Sequence, residues 1–315
     1  MKKVFILQIA VVVVTIIVCV FSTKYIICYI HDDYDRLYNI NEWTQDSNIK
    51  PEIVFFGSSE AMNSVDGDLI KEKYNKEAVS YTNTGQSMAE AFLFYSRVPS
   101  STKYVVQVMR SSTFAEGIYI NDVKVNRLVI NGYQLEDFTM SLLNERTIAK
   151  LEKSLPKASF DIRGYLKNGI HGYLRELLEP GQYNETSNTY IRNAYMFNYE
   201  RAPEEQFQML LRTLQVEQKP TLEVDQELVE SMRKASAYFK SRGIKYVVVF
   251  SPISSNATQL IQPNYKEVLD GLNFDFSIID YTNLLEEDGF ADPVHPNRKG
   301  AKVFTNQLMK DLFTE

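Results

Sequence analysis
The chain predicts an α/β fold in which a parallel five-stranded sheet carries helices on both faces. Three features predict it. Five short runs rich in Val, Ile, Tyr and Phe recur along the chain: "EIVFFG" (52–57), "AVSYTN" (78–83), "KYVVQVM" (103–109), "KYVVVFS" (245–251) and "DFSIIDY" (275–281). Three of them are almost wholly apolar, which suits strands buried on both faces. Stretches of helical character lie between most of them, and strand alternating with helix builds a parallel sheet.

The elements follow in chain order. Residues 4–21, "VFILQIAVVVVTIIVCVF", are apolar except for Gln8 and Thr15. At ~1.5 Å per residue they span roughly 27 Å, close to the thickness of a bilayer core. A cleaved signal peptide is the competing reading. The stretch is long for one, and no small-residue cleavage site follows it. Residues 1–30 are therefore expected to be an uncleaved transmembrane anchor. Lys2 and Lys3 precede the span, which places the N-terminus in the cytoplasm and the remainder outside the cell membrane. Residues 31–50 are polar with scattered aromatics and read as a stalk or first helix. The rest, 51–315, forms the folded domain.

Within that domain, "GDLIKEKYNK" (67–76) and "MAEAFLFYSR" (88–97) read as helices. In 225–242, Leu228, Met232, Ala235 and Phe239 share one helical face and Gly243 supplies the stop. Residues 297–313 close the chain as a helix. About 130 residues (110–242) separate the third and fourth strands, far more than a crossover needs. They read as a mostly helical insertion at about 115–220, with a mobile stretch near 180–205.

Composition limits the partners. Apolar residues make up 44% and aromatics 12% of the chain, as in a folded protein. Apart from Lys2, Lys3 and Lys24, 31 basic residues face 40 acidic ones, a balance of −9. That disfavours nucleic acid, whose phosphates need a basic face. The two cysteines, Cys19 and Cys28, lie in or beside the anchor. The outer domain then has no disulfide and no cysteine set for zinc.

Two stretches carry residues suited to chemistry. In "FFGSSEAMNSVD" (55–66), Gly57, Ser58 and Ser59 follow the first strand, at the carboxyl edge where such sheets bind ligands. In "DGFADPVHPNRKGAKVF" (288–304), Asp292 stands three residues before His295. Across a turn that spacing lets the carboxylate accept the imidazole Nδ1–H and turns Nε2 outward as a base. Each stretch also has a plain structural reading. Strand–Gly–Ser turns are common, and Pro296 and Asn297 suit a helix entry with Asp292 as a turn carboxylate.

These two blocks, with "NTGQSMAE" (83–90) after the second strand, resemble the SGNH (GDSL-like) hydrolase superfamily. Within it they resemble the membrane-anchored branch that serves cell-surface acylation: the teichoic acid D-alanylation protein of the SGNH type and the alginate-type O-acetyltransferases. The resemblance covers the edges of the outer domain and not the insertion. It implies a three-layer, flavodoxin-like α/β/α domain. It also implies Ser59 as nucleophile, Ser58 bracing the turn from the family's usual aspartate position, and Asp292 and His295 as the acid–base pair. The backbone N–H groups of Ser59 and Gly85 would bind the oxyanion. The family's Gly-x-Asn-Asp after the third strand is missing, since that strand ends in "VMRSSTF". Arg110 or Ser111 stands in its place, or the site has fewer donors.

The function implied is that of an extracytoplasmic serine esterase or O-acyltransferase. It would act on a cell-surface glycopolymer, teichoic acid or exopolysaccharide, beside a membrane-bound acyl donor protein. No cofactor and no metal is implied. The alternative is a catalytically weak scaffold of the same shape that binds polymer or a membrane acyltransferase partner.

Overall fold
The computed structural model describes residues 37–48, 50–120, 133–154, 202–216 and 220–313, together with residues 8, 9, 11–15, 18, 124 and 128. Its centre is one five-stranded sheet: β1 (Ile53–Gly57), β2 (Ala78–Ser80), β3 (Tyr104–Met109), β4 (Lys245–Phe250) and β5 (Ser277–Asp280). The spatial order is β2-β1-β3-β4-β5 and every neighbouring pair is parallel. Helices cover both faces, so the domain has three layers.

The layers follow from the period of two along a strand. On one face Val54, Phe56, Val105, Met109, Val248 and Phe250 are buried in one core with α4 (Met88–Tyr95), α8 (Gln226–Ser241) and α9 (Tyr265–Asp270). The other face buries Ile53, Phe55, Val106, Val108, Val247 and Val249. These residues meet α2 (Ser59–Ser64), α3 (Gly67–Tyr74) and α10 (Arg298–Phe313) through Ala61, Ile70, Phe304 and Leu308. Caps mark where the helices begin. Asp66 accepts from Leu69 N–H at 2.9 Å, and Asp225 accepts from Leu228 N–H at 2.8 Å. Ser87 and Glu90 form a reciprocal capping box on α4. Leu228, Met232, Ala235 and Phe239 of α8 are all buried, and Gly243 leaves the helix at φ +72°.

The described residues of 110–242 lie outside the sheet, and β4 pairs directly with β3. The described part of this connection holds a 3-10 turn (Ser111–Ala115), α5 (Asp137–Leu142), α6 (Glu145–Ser154) and α7 (Glu204–Val216). Helix α7 returns over the carboxyl end of the sheet. Its Phe207 and Leu211 pack with Ile253, Leu260 and Val294, and Ala202 N–H donates to Ala291 O at 2.7 Å. The stretch near 180–205 lies outside the described residues except for 202–205.

One sequence expectation is corrected: the second strand stops at Ser80 rather than 83. The chain still donates Tyr81 and Asn83 N–H to the Phe55 and Gly57 carbonyls, but bends away to the Gly85 turn, so the ladder is not regular there. Of the two readings of 31–50, a stalk or a first helix, the described residues 37–43 form a helix, α1 (Leu37–Trp43), whose Leu37, Ile40 and Trp43 are buried in the domain core. Most of the expected anchor, 1–30, lies outside the described residues. Among the described residues no helix is long and apolar enough to cross a membrane.

Candidate active site
The strand order fixes where a ligand can bind. The connection from β1 to β2 crosses one face through α2 and α3, while that from β3 to β4 returns across the other face through α8. The chain therefore leaves the carboxyl ends of β1 and β3 in opposite directions. A crevice opens between them, the switch point of a doubly wound sheet. Gly57 ends β1 and Arg110 follows β3 at this crevice.

Gly57 is required there. Its φ is +143°, and a Cβ would lie 2.3 Å from the Val108 carbonyl oxygen on the adjacent strand. The chain can then turn at once into α2, with Ser58 as its N-cap and Ser59 as its first residue. Gln86 clamps this turn to the next loop. Its Oε1 accepts from Gly57 N–H at 2.7 Å, and its Nε2 donates to Tyr81 O at 2.7 Å.

The structure brings Ser59, His295 and Asp292 into one chain of hydrogen bonds. Ser59 Oγ lies 2.8 Å from His295 Nε2. His295 Nδ1 lies 2.8 Å from Asp292 Oδ2 and 2.9 Å from Oδ1. A carboxylate only accepts, so Nδ1 carries the proton and Nε2 accepts from the Ser59 hydroxyl. Asp292 Oδ1 also accepts from Val294 N–H at 3.0 Å and His295 N–H at 2.9 Å. The same carboxylate thus shapes the turn and aims the ring. Both residues are nearly buried, Asp292 4% and His295 8% exposed. A reverse bridge between Phe290 and Pro296 closes the turn. Asn297 ties it to α10, its Oδ1 accepting from Gly300 N–H at 3.0 Å and its Nδ2 donating to Asp288 O at 2.8 Å.

Ser58 sits beside this chain of bonds and outside it. Its hydroxyl donates to Glu60 Oε2 and accepts from Glu60 N–H. Glu60 Oε1 in turn lies 3.0 Å from Arg110 Nε. Ser58, Glu60 and Arg110 therefore run from the end of β1 to the end of β3. Gly85, at φ +56°, faces the same crevice. Ser111 is buried in the 3-10 turn and is not part of the crevice wall. His31 and His171 lie outside the described residues.

The crevice has a volume of about 510 Å³. Met88, Met109, Tyr119, Leu210, Leu214 and Val294 give it apolar walls, two of them from α7 of the insertion. Gln107 lies at its base, with Oε1 accepting from Tyr95 O–H at 2.8 Å. Burial, reinforced by the neighbouring Tyr246, holds the Tyr95 hydroxyl well above the ordinary tyrosine range, so it remains a donor. That bond leaves the Gln107 amide N–H groups as the end available to other partners. Among the described residues no group of three or more His, Cys, Asp or Glu side chains could hold a metal ion.

Glu60, Gln86 and Gln107 are site residues that sequence reasoning missed. Gln86 lies inside the "NTGQSMAE" block and Glu60 inside "FFGSSEAMNSVD", so both had a signal. The Glu60–Arg110 and Gln107–Tyr95 pairs meet across the fold, where no local spacing encodes them.

No family model matches the chain, and no curated protein matches it. A solved structure from Streptococcus pneumonia, described as that of a candidate platelet activating factor, is similar at 9% identity. The similarity covers 89% of this chain and 93% of that chain, with a TM-score of 0.41.

Proposed function
We propose that this chain is a serine esterase or O-acyltransferase of the SGNH type, acting by an acyl-enzyme. The observation that carries the reading is the bond chain Ser59–His295–Asp292 at the sheet's switch point. In the proposed reaction the Ser59 hydroxyl passes its proton to His295 Nε2 as Oγ attacks the ester carbonyl carbon. The carbonyl π pair moves onto oxygen. The imidazolium formed is stabilised by the Asp292 carboxylate. The tetrahedral intermediate collapses, the alcohol leaves with the proton from Nε2, and the acyl group stays on Ser59. Water or a sugar hydroxyl then gives its proton to His295 Nε2 as its oxygen attacks the acyl carbon, and on collapse Nε2 returns that proton to the leaving Ser59 Oγ, restoring both residues.

The oxyanion needs donors. Ser59 N–H, in the first turn of α2, and Gly85 N–H, at the facing loop, are the two we assign. A donor of this kind contributes about 3 kcal/mol to the transition state. Arg110 is the third candidate, since it lines the crevice where the family has its Asn and is steadied by Glu60. The apolar walls suit an acyl chain, and the open side suits a polymer hydroxyl.

The setting belongs to the same proposal: a domain outside the cell, held by an N-terminal anchor. It would act on a surface glycopolymer, teichoic acid or exopolysaccharide, alongside a membrane-bound acyl donor protein. Support comes from the described anchor residues, which are helical and leave Ile9, Val11, Val12, Val13, Val14 and Val18 exposed, as suits contact with lipid.

The test uses the full chain in detergent micelles with a small acetyl ester and a fluorophosphonate probe. Turnover and labelling are both expected, and Ser59→Ala should remove both, the rate falling by several orders of magnitude. A well-folded wild-type protein that is neither labelled nor active would leave the scaffold reading in its place.

A further inference from the structure
Lys124 belongs to the insertion, far in sequence from every motif described, yet its ammonium group is buried beside the Gly85 turn. The residue is 8% exposed. Nζ lies 2.8 Å from Glu90 Oε2, 3.0 Å from Thr84 O and 2.7 Å from Gly85 O. Glu90 is 1% exposed, so its carboxylate needs a buried partner. That pairing occupies one of the ammonium's three N–H donors. The two carbonyls take hydrogen bonds that neutralising Glu90 does not require.

Those two carbonyls decide where an amide points. The Thr84–Gly85 peptide is trans, as no cis bond is present. In a trans peptide the C=O and the following N–H point in opposite directions. With the Thr84 carbonyl turned onto Lys124, the Gly85 N–H is turned away from it. Gly85 faces the crevice, and among the described residues its N–H has no protein acceptor. The left-handed φ of +56° at Gly85 is a conformation a glycine holds without strain. It still needs something to hold it against the alternative peptide orientation.

We propose that Lys124 is a positioning residue, which holds the Thr84 and Gly85 carbonyls back so that the Gly85 N–H stays aimed at the oxyanion. The inference rests on the acyl-transfer reading of the site. Through it the insertion becomes part of the catalytic apparatus, because a residue outside the sheet sets the geometry of a donor at its edge. The device suits the chemistry. An oxyanion donor helps only if it is already oriented when negative charge develops.

The test is the double variant Lys124→Met/Glu90→Gln in the full chain. It removes both buried charges together, and glutamine can keep the capping box of α4. The single variant Lys124→Met is run beside it. Rates of acetyl ester hydrolysis are normalised to the fraction of Ser59 that a fluorophosphonate titrates to completion. Binding of an aryl trifluoromethyl ketone is measured in parallel, since its adduct with Ser59 carries the oxyanion.

We expect kcat per titrated serine to fall on the order of 10²-fold, the scale of one lost oxyanion donor. KM should stay within about twofold, because the ground-state ester does not draw on that donor. The inhibition constant of the ketone should rise by the same factor as kcat falls. A purely structural role lowers the titratable fraction and leaves both constants per active site unchanged, and that result overturns the proposal. A lower kcat with an unchanged inhibition constant overturns it too. Ser59→Ala separates this failure from that of the underlying reading. If Ser59→Ala keeps wild-type turnover, acyl transfer at this serine is wrong and the role of Lys124 falls with it.

Discussion
The two ends of the sheet both carry an acid beside basic groups, and they use them differently. At the amino end, Glu52 lies just before β1, with Lys103 Nζ at 2.7 Å and Lys76 Nζ at 3.2 Å. The Lys103 side chain is 62% exposed there, so water shares in solvating that pair. At the carboxyl end, Asp292 and His295 are almost out of reach of water. Asp292 is held by two backbone N–H groups of its own turn, and the bond chain ends on a hydroxyl beside an open crevice. Charge at the amino end fastens strand ends, whereas at the carboxyl end it is fixed in direction. What distinguishes a candidate site from an ordinary ion pair is this desolvated, over-determined geometry rather than the residue types.

The strongest break of the comparison is Asp292→Asn. The asparagine Oδ1 can still accept from Val294 and His295 N–H, so the turn should persist. Its Nδ2 then faces His295 Nδ1 as a donor. The imidazole must accept there, which moves its proton to Nε2, and Nε2 can no longer take the Ser59 proton. Ester turnover is expected to fall about 10⁴-fold, with the urea midpoint close to wild type. A variant that unfolds instead would show that the carboxylate serves the turn before the ring.

A middle-sized effect belongs to Ser58. Its hydroxyl supports Glu60, and through it Arg110, but it does not touch His295. Ser58→Ala should cost roughly 1 kcal/mol, about a fivefold loss in kcat/KM. If Ser58→Ala were inactive and Ser59→Ala active, the roles assigned to the doubled serine would be reversed.

The sheet and its carboxyl edge were readable because they obey short periods. Alternation of apolar side chains marks β1, β3 and β4, and the Asp292–His295 spacing spans a single turn. The shallower edge strand β5 was found with looser ends, since Ser277 and Asp280 are exposed. Helix α2 was missed because it begins on the serine itself, with no loop between strand and helix. The burial of α1 had a signal that was passed over. Leu37, Ile40 and Trp43 recur every three residues in "LYNINEW", an apolar stripe that a solvated stalk does not need. Glu60–Arg110, Gln86–Gly57 and Lys124–Glu90 were out of reach for another reason. Each is a polar pairing across 29 to 50 residues, set by how the loops stack, and hydropathy has no period for it. Thus Ser59, Asp292 and His295 were visible in the sequence, whereas the pairings around them, Glu60–Arg110, Gln86–Gly57 and Lys124–Glu90, were not.

The smallest effect lies at the amino end, and it sharpens the comparison because it should be invisible to catalysis. The hydrogen bond from Lys103, aided by Lys76 and opposed by partial burial, holds the Glu52 carboxyl below its ordinary range. A carboxyl with a depressed folded-state value adds stability above its unfolded value of about 4.3. That stability disappears as pH falls through the folded value. Glu52→Gln should therefore lower stability at pH 7 by on the order of 0.5 kcal/mol, the scale of a solvated ion pair. At about pH 3, below the unfolded value, the difference should be smaller than at pH 7, because the wild-type carboxyl loses its charge as pH falls. Added salt should shrink it at pH 7 too, by screening the pair. Urea titrations of both proteins at the two pH values measure the difference, and ester turnover at pH 7 is followed alongside. A loss of stability that persists undiminished at low pH would mean that Glu52 acts by packing and not by charge. A loss of turnover would mean that the two ends of the sheet are coupled, and the division of labour between them would not hold.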